Sequence, residues 1–172
     1  MSLLDPILNL DPISRVRRNH GLEHATLHIL SKRNLGKRMG GHSDFNGFWL
    51  LGDLETEQVR SAADEALRRM KNGEHHLAVH PNCGTNFAAA GSMAGLAGLM
   101  GMIGVGSRRR DKLERIPLVA TLGTLALILA QPLGPVLQKK ITTSGVPGNL
   151  EIVAIIPSQR GRVTAHRVTT RG

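Results

Sequence analysis

Two short stretches hold most of the residues able to do chemistry. His20-Gly21-Leu22-Glu23-His24 sets two imidazoles four residues apart with a carboxylate between them. His80-Pro81-Asn82-Cys83-Gly84-Thr85 adds a third imidazole and the single thiol of the chain. On a helix, positions i and i+4 stand about 40° apart and one turn along. His20 and His24 can therefore both reach one ion at about 2.0–2.1 Å. Two protein ligands do not complete a zinc site: a structural site needs four, and a catalytic site needs three plus water. His80 and Cys83 lie three residues apart across a Pro-Asn turn and are the natural completion, because Zn2+ accepts nitrogen and sulfur together.

The order His-x-x-Glu-His is also that of inverted zinc hydrolase motifs. There the metal lowers the pKa of its bound water toward about 7, and the carboxylate takes the proton during attack. Glu23 is accordingly read as the catalytic base, with direct ligation as its alternative. Seven of the eight histidines fall within the first 80 residues. His28 extends the His20/His24 stripe by one turn and is expected to hydrogen-bond near the helix end. His76 would share a strand face with His80. Three plainer readings stand beside the metal site: a solvated helix face, a buried Cys83 packing as a small apolar residue, and a histidine cluster that senses pH.

These residues need elements to position them. Asp11-Pro12 can open a helix, with Asp11 as N-cap and Pro12 at the first helical position, running to about Arg33 or Asn34 and stopping at Gly36. Residues 36–47 read as a glycine-rich loop and 48–51 as a short buried strand. Val59, Ala62, Ala63, Ala66, Leu67 and Met70 recur at helical spacing, predicting a helix over 56–72 ended by Asn72-Gly73. Residues 76–80 alternate as a strand would, and Thr85 is a good N-cap for the apolar span after it. Residues 150–156 and 162–170 predict a β-hairpin, after a linker at 141–149.

Between these parts lie two charge-free runs, 87–106 and 116–137, joined by the basic segment 107–115. Each is long enough to cross a bilayer, so 87–137 is expected to be a two-helix transmembrane hairpin. Ala90, Ala94 and Gly98, with Gly91 and Gly95 beside them, form rows of small residues. Such rows let another transmembrane helix or a second copy of the chain approach closely. The expected fold class is α+β. Residues 1–86 and the C-terminal hairpin 141–172 would build one small mixed domain attached to the membrane hairpin.

Net charge is +9, but its distribution argues against nucleic acid. Residues 1–106 carry 11 Lys/Arg against 10 Asp/Glu, whereas 107–172 carry 11 against 3. The excess follows the first apolar run, as membrane topology produces, and no basic patch is interleaved with aromatic residues. A lone cysteine excludes an intrachain disulfide. The first twelve residues lack a basic n-region, so no secretory signal is expected. Orientation is pulled two ways. The basic segment 107–115 favours the cytoplasm, whereas the free thiol, the missing signal and Lys139-Lys140 favour a cytoplasmic folded part. The expected location is a multi-pass protein of the cytoplasmic membrane with the folded part inside.

HGLEH followed by HPNCGT and directly by an apolar span resembles the YqhQ-like bacterial membrane proteins, a family described as predicted metal-dependent enzymes. Their pattern is His-Gly-x-Glu-His-Lys and later His-Pro-x-Cys-Gly-Thr. His20, Gly21, Glu23 and His24 match the first motif, with Ala25 in place of the lysine. His80, Pro81, Cys83, Gly84 and Thr85 match the second. The resemblance covers roughly residues 18–105, and this chain departs from it in the elements between the motifs and in its C-terminal hairpin. It implies a metal site more directly than an activity. The expectation is a membrane-anchored, Zn2+-dependent hydrolase with His20, His24, His80 and Cys83 as ligands and Glu23 as base. Its rival is a non-catalytic membrane protein with a structural metal site, serving as a subunit or assembly factor.

Overall fold

The computed structural model describes residues 4–161 and 163–172. They divide into two compact units. One is made from the chain up to His80 together with Lys139–Gly172, and the other is Pro81–Gln138.

The first unit is α+β. A short helix α1 (Asp5–Leu8) leads into the long α2 (Ile13–Arg33), which is followed by strands β1 (Gly40–Asp44) and β2 (Gly47–Leu51), helix α3 (Thr56–Lys71) and a 3₁₀ turn at His75–Ala78. Strands β3 (Glu151–Arg160) and β4 (Val163–Arg171) complete it. The sheet is antiparallel throughout, in the order β1-β2-β4-β3. Its inner face is set by register: Phe48 lies opposite Val168, which lies opposite Ile155. All three are buried against α2 and α3. A fully buried side chain of this size contributes about 1.5–3 kcal/mol.

Helix α3 forms as its periodicity predicts. Val59, Ala62, Ala63, Ala66 and Met70 are all 0% exposed and make one continuous stripe. Its start is a capping box in which the Glu55 backbone N–H donates to the Gln58 side chain at 3.3 Å. Gly73, at φ 98°, lets the chain leave the helix in a left-handed conformation. Helix α2 ends as expected near Asn34, whose side chain caps the Leu30 carbonyl at 3.1 Å.

Several expectations change. Asp11 does not cap α2, because Pro12 itself occupies that position and makes no side-chain cap bond. The glycine-rich stretch after α2 is not all loop, since Gly40–Asp44 pairs with β2 as an edge strand. Residues 76–80 are not a strand, since His75–Ala78 form a 3₁₀ turn, and the C-terminal hairpin pairs with β2. The hairpin strands run further than predicted, with β3 continuing through Pro157 to Arg160. Arg162, expected to open β4, lies outside the described residues, as do Met1, Ser2 and Leu3.

The second unit is helical: α4 (Gly84–Gly101), α5 (Arg109–Glu114), α6 (Ile116–Ala130) and α7 (Leu133–Leu137). Helices α4 and α6 pack together. A Cβ at Gly98 or Gly101 would meet Val119 at 3.5 or 3.1 Å, whereas Gly91 and Gly95 face open space. Close approach thus uses the end of α4 and not the Gly91/Gly95 row. At the opposite end, Gln138 donates to Asn86 at 2.6 Å.

Only one segment among the described residues, Arg109–Ala130, is a helix long and apolar enough to cross a membrane. This corrects the expected pair of spans. Helix α4 stops at Gly101, short of residue 106, and its glycines dilute its hydropathy. The second apolar run is broken after Ala130 at Gln131-Pro132, because proline supplies no N–H to continue the ladder. The basic connector is itself helical over Arg109–Glu114 and runs into α6. Thr85 is not the cap of α4. That position is Cys83, whose sulfur accepts from the Thr85 backbone N–H at 3.4 Å.

Candidate metal centre

Helix α2 carries His20, Glu23, His24 and His28 through the middle of the first unit, and the sheet and the 75–80 segment flank it. The His20 and His24 rings lie 4.3 Å apart between centroids, as the i, i+4 spacing requires. His80 joins them, 5.6 Å from His24 and 4.7 Å from His28. The four imidazoles therefore form one cluster inside one unit.

The hydrogen bonds decide which ring nitrogens can serve as ligands. His24 Nδ1 is 2.7 Å from the Ala78 carbonyl, and His20 Nδ1 is 2.9 Å from the Thr142 carbonyl. A carbonyl only accepts, so each Nδ1 carries a proton, and Nε2 is the nitrogen of each ring left to ligate an ion. An imidazole held through one nitrogen by a backbone carbonyl, with the other turned to an ion, is the usual arrangement of a metal-ligating histidine. His28 is turned the other way: its Nε2 donates to the Val79 carbonyl at 2.8 Å. It hydrogen-bonds near the helix end, as its position predicts.

His80 is held neutral. Burial pushes its pKa down to about 4, helped by the neighbouring His28 and His24. A metal ligand must be unprotonated, so this shift prepares the ring for an ion at any pH above that value. His76 is exposed, and without a strand it does not share a face with His80.

Glu23 is 3% exposed and points to strand β1. The Ser43 hydroxyl donates to it. A Cβ on Gly41 would lie 2.3 Å from Glu23 Oε1, so that glycine leaves the room the carboxylate occupies. Burial raises the Glu23 pKa, opposed by the Ser43 hydrogen bond and by the nearby His20 and His42. A carboxyl shifted upward in this way holds its proton more readily than an exposed one. Gly41 and Ser43 had no place in the sequence reading of the site. The sequence carries no mark for them; they share a face only because the stretch is a strand, in which residues two apart point the same way.

Cys83 belongs to the second unit, at the start of α4. It is three residues along the chain from His80. Connectivity alone keeps their Cα atoms within about 11 Å.

No solved structure matches the chain. An uncharacterized protein of Picosynechococcus sp. is 31% identical over 162 residues, covering 88% of this chain and 77% of that protein. A family model described as "Domain of unknown function (DUF6391)" matches residues 15–155, a stretch that contains both histidine motifs. The chain belongs to the DUF6391 family.

Proposed function

We propose that the protein is a membrane-anchored, zinc-dependent hydrolase. His20 and His24 would hold the metal, and His80 or Cys83, three residues further along the chain, would supply the third ligand and leave the fourth position to water. The observation that carries this reading is the paired Nδ1–carbonyl bonding of His20 and His24, which leaves Nε2 of both rings as the nitrogen able to ligate. The donor set fits Zn2+: neutral imidazoles and a thiolate. When bound, the metal would supply Lewis acidity toward water or a substrate carbonyl or phosphoryl oxygen. Glu23 would act as base from its buried, Ser43-supported position. The match of both motifs to the YqhQ-like pattern supports the same reading. The apolar helix at Arg109–Ala130 and the exposed leucines of α4 and α6 support a membrane location.

A structural metal is the second reading, because four protein donors fill a tetrahedral shell and leave no open position. Elemental mass spectrometry on the full chain in mild detergent is expected to find about one zinc per chain, lost in His24→Ala. No zinc in either sample, even after zinc addition, would overturn both readings. Cobalt substitution then separates them. A visible spectrum that shifts on adding a hydroxamate marks an open position and an enzyme, and an unmoved spectrum marks a closed shell. Glu23→Gln should retain the metal.

A further inference from the structure

The first unit contains a cleft of about 450 Å3 that neither motif accounts for. Its polar lining includes Arg17, Lys139, His75 and His76 beside Thr143 and Ser144, and its apolar part includes Val79 and Val146. No carboxylate is among its lining residues, and the Asp5 carboxylate that acts on Arg17 lines a separate cavity. Glu74, next in sequence to His75, is engaged by Arg69 at 2.9 and 2.5 Å. The volume lies in the range of small-molecule sites.

Both walls of the cleft are segments that orient the imidazoles. One wall is the strap 139–146. Its Thr142 carbonyl holds His20, and its Ile141 and Thr143 carbonyls accept from Arg17 at 2.7 and 3.1 Å. The other is the 75–79 segment, whose Ala78 carbonyl holds His24. The walls are tied to each other through His75 Nδ1, which donates to the Gly145 carbonyl at 2.7 Å. Gly145 permits this approach, since a Cβ there would lie 2.7 Å from the His75 carbonyl oxygen.

The charges divide their work. Arg17 spends most of its donors on carbonyls of the strap and of Leu8, so it acts as a fixed positive centre. Lys139 and His76 are exposed and can turn toward a ligand. Two positive charges with two imidazoles suit a doubly charged group, which a phosphomonoester provides and a single carboxylate does not. The apolar side chains suit the carbon portion attached to it.

We infer that this cleft binds the phosphate group of a phosphomonoester, and that such esters are the substrate class of the adjacent histidine centre. The substrate role rests on the proposed metal-dependent hydrolase, whereas the anion site does not. The phosphate can belong to a lipid headgroup or to a soluble ester.

The test is calorimetric titration of the full chain in a zwitterionic detergent with dihexanoyl phosphatidic acid, inorganic phosphate and dihexanoyl phosphatidylcholine. Zinc content is measured on the same samples. Phosphatidic acid is expected to bind saturably, and Lys139→Gln or His76→Gln to weaken it about tenfold each while keeping zinc. Both residues are exposed, so neither change threatens folding. Inorganic phosphate binding as tightly as the lipid would assign a soluble source, and much weaker binding would assign the lipid. Equal binding of phosphatidylcholine, no saturable binding of either phosphate, or unchanged affinity in both variants would overturn the inference. His24→Ala should lose zinc and keep phosphate. Phosphate binding in a wild-type chain that takes up no zinc would remove the substrate role and leave the anion site standing.

Discussion

The two units sort the same residue types by opposite rules. In the first, Leu22, Leu30 and Phe48 are 0% exposed and Leu50 is 1% exposed. In the second, Leu99 and Met100 are each 68% exposed, Ile103 73% and Leu129 68%. Hydrophobic composition alone does not say which rule applies. The first unit has a sheet and two helices to close around its apolar stripe, so it can hold buried polar groups such as Glu23, His24 and Asn19 in fixed geometry. The second has a helix pair, which hides one seam and leaves the outer faces apolar. Water tolerates the first arrangement, and hydrocarbon suits the second.

Trp49 is the chain's single tryptophan and lies in the first unit, so its fluorescence reports unfolding of that unit alone. The largest effect on that signal is expected from Phe48→Ala, which opens a cavity at the centre of the sheet's inner face. It should destabilise by about 3–5 kcal/mol. A loss under about 1 kcal/mol would mean that the first unit has no packed core of the kind described.

Gly21→Ala comes next. A Cβ there would sit 2.1 Å from the Ser144 carbonyl oxygen, and backbone cannot swing aside as a side-chain tip can. Chemical denaturation should show a loss of about 2–3 kcal/mol. An unchanged midpoint would show that the strap is not seated on α2.

His166 should give a smaller, pH-dependent effect. It is 1% exposed, its Nδ1 has no hydrogen-bond partner, and its Nε2 lies 3.1 Å from the Thr56 hydroxyl. Burial holds its pKa below the ordinary 6.5, so the unfolded chain takes up the proton first. Its contribution is therefore full above about pH 6.5 and declines as pH falls beneath it, by at most about 1.4 kcal/mol per pH unit. In His166→Leu, melts from about pH 7 to 5 should be flatter than in the wild type, and an equal slope would remove His166 as the cause. The smallest effect is expected from Leu129→Ser, which should move the Trp49 transition by less than about 0.5 kcal/mol. A shift of several kcal/mol would break the contrast between the units, since an exposed leucine of the second would then be supporting the core of the first.

Legibility in the sequence divides along the same line. The α3 stripe, strand β2 and the C-terminal hairpin were readable because each buries one face at a regular period. Strand β1 was not, since Gly-Gly-His-Ser-Asp has no apolar side chain to mark it. It is held by β2 on one edge and by the Glu23–Ser43 contact. Residues 76–80 alternate in the sequence, yet the backbone there turns and offers the Ala78 and Val79 carbonyls to His24 and His28. The His20/His24 pair was visible from spacing, whereas the groups that fix their tautomers are main-chain carbonyls and carry no sequence mark. The two apolar runs looked alike by absence of charge. Glycine content and Pro132 separated them.

The strand order β1-β2-β4-β3 places the last strand in chain order inside the sheet. The Thr142 carbonyl that orients His20 likewise lies 122 residues downstream of it. At ribosomal speeds of about 5–20 residues per second, roughly 6–25 s separate the emergence of the first histidine from that of its partner. For that interval α2 exists without the segment whose carbonyl holds His20. The orientation of His20 is thus a late product of synthesis, set only after the whole second unit has been made and the chain ends have met.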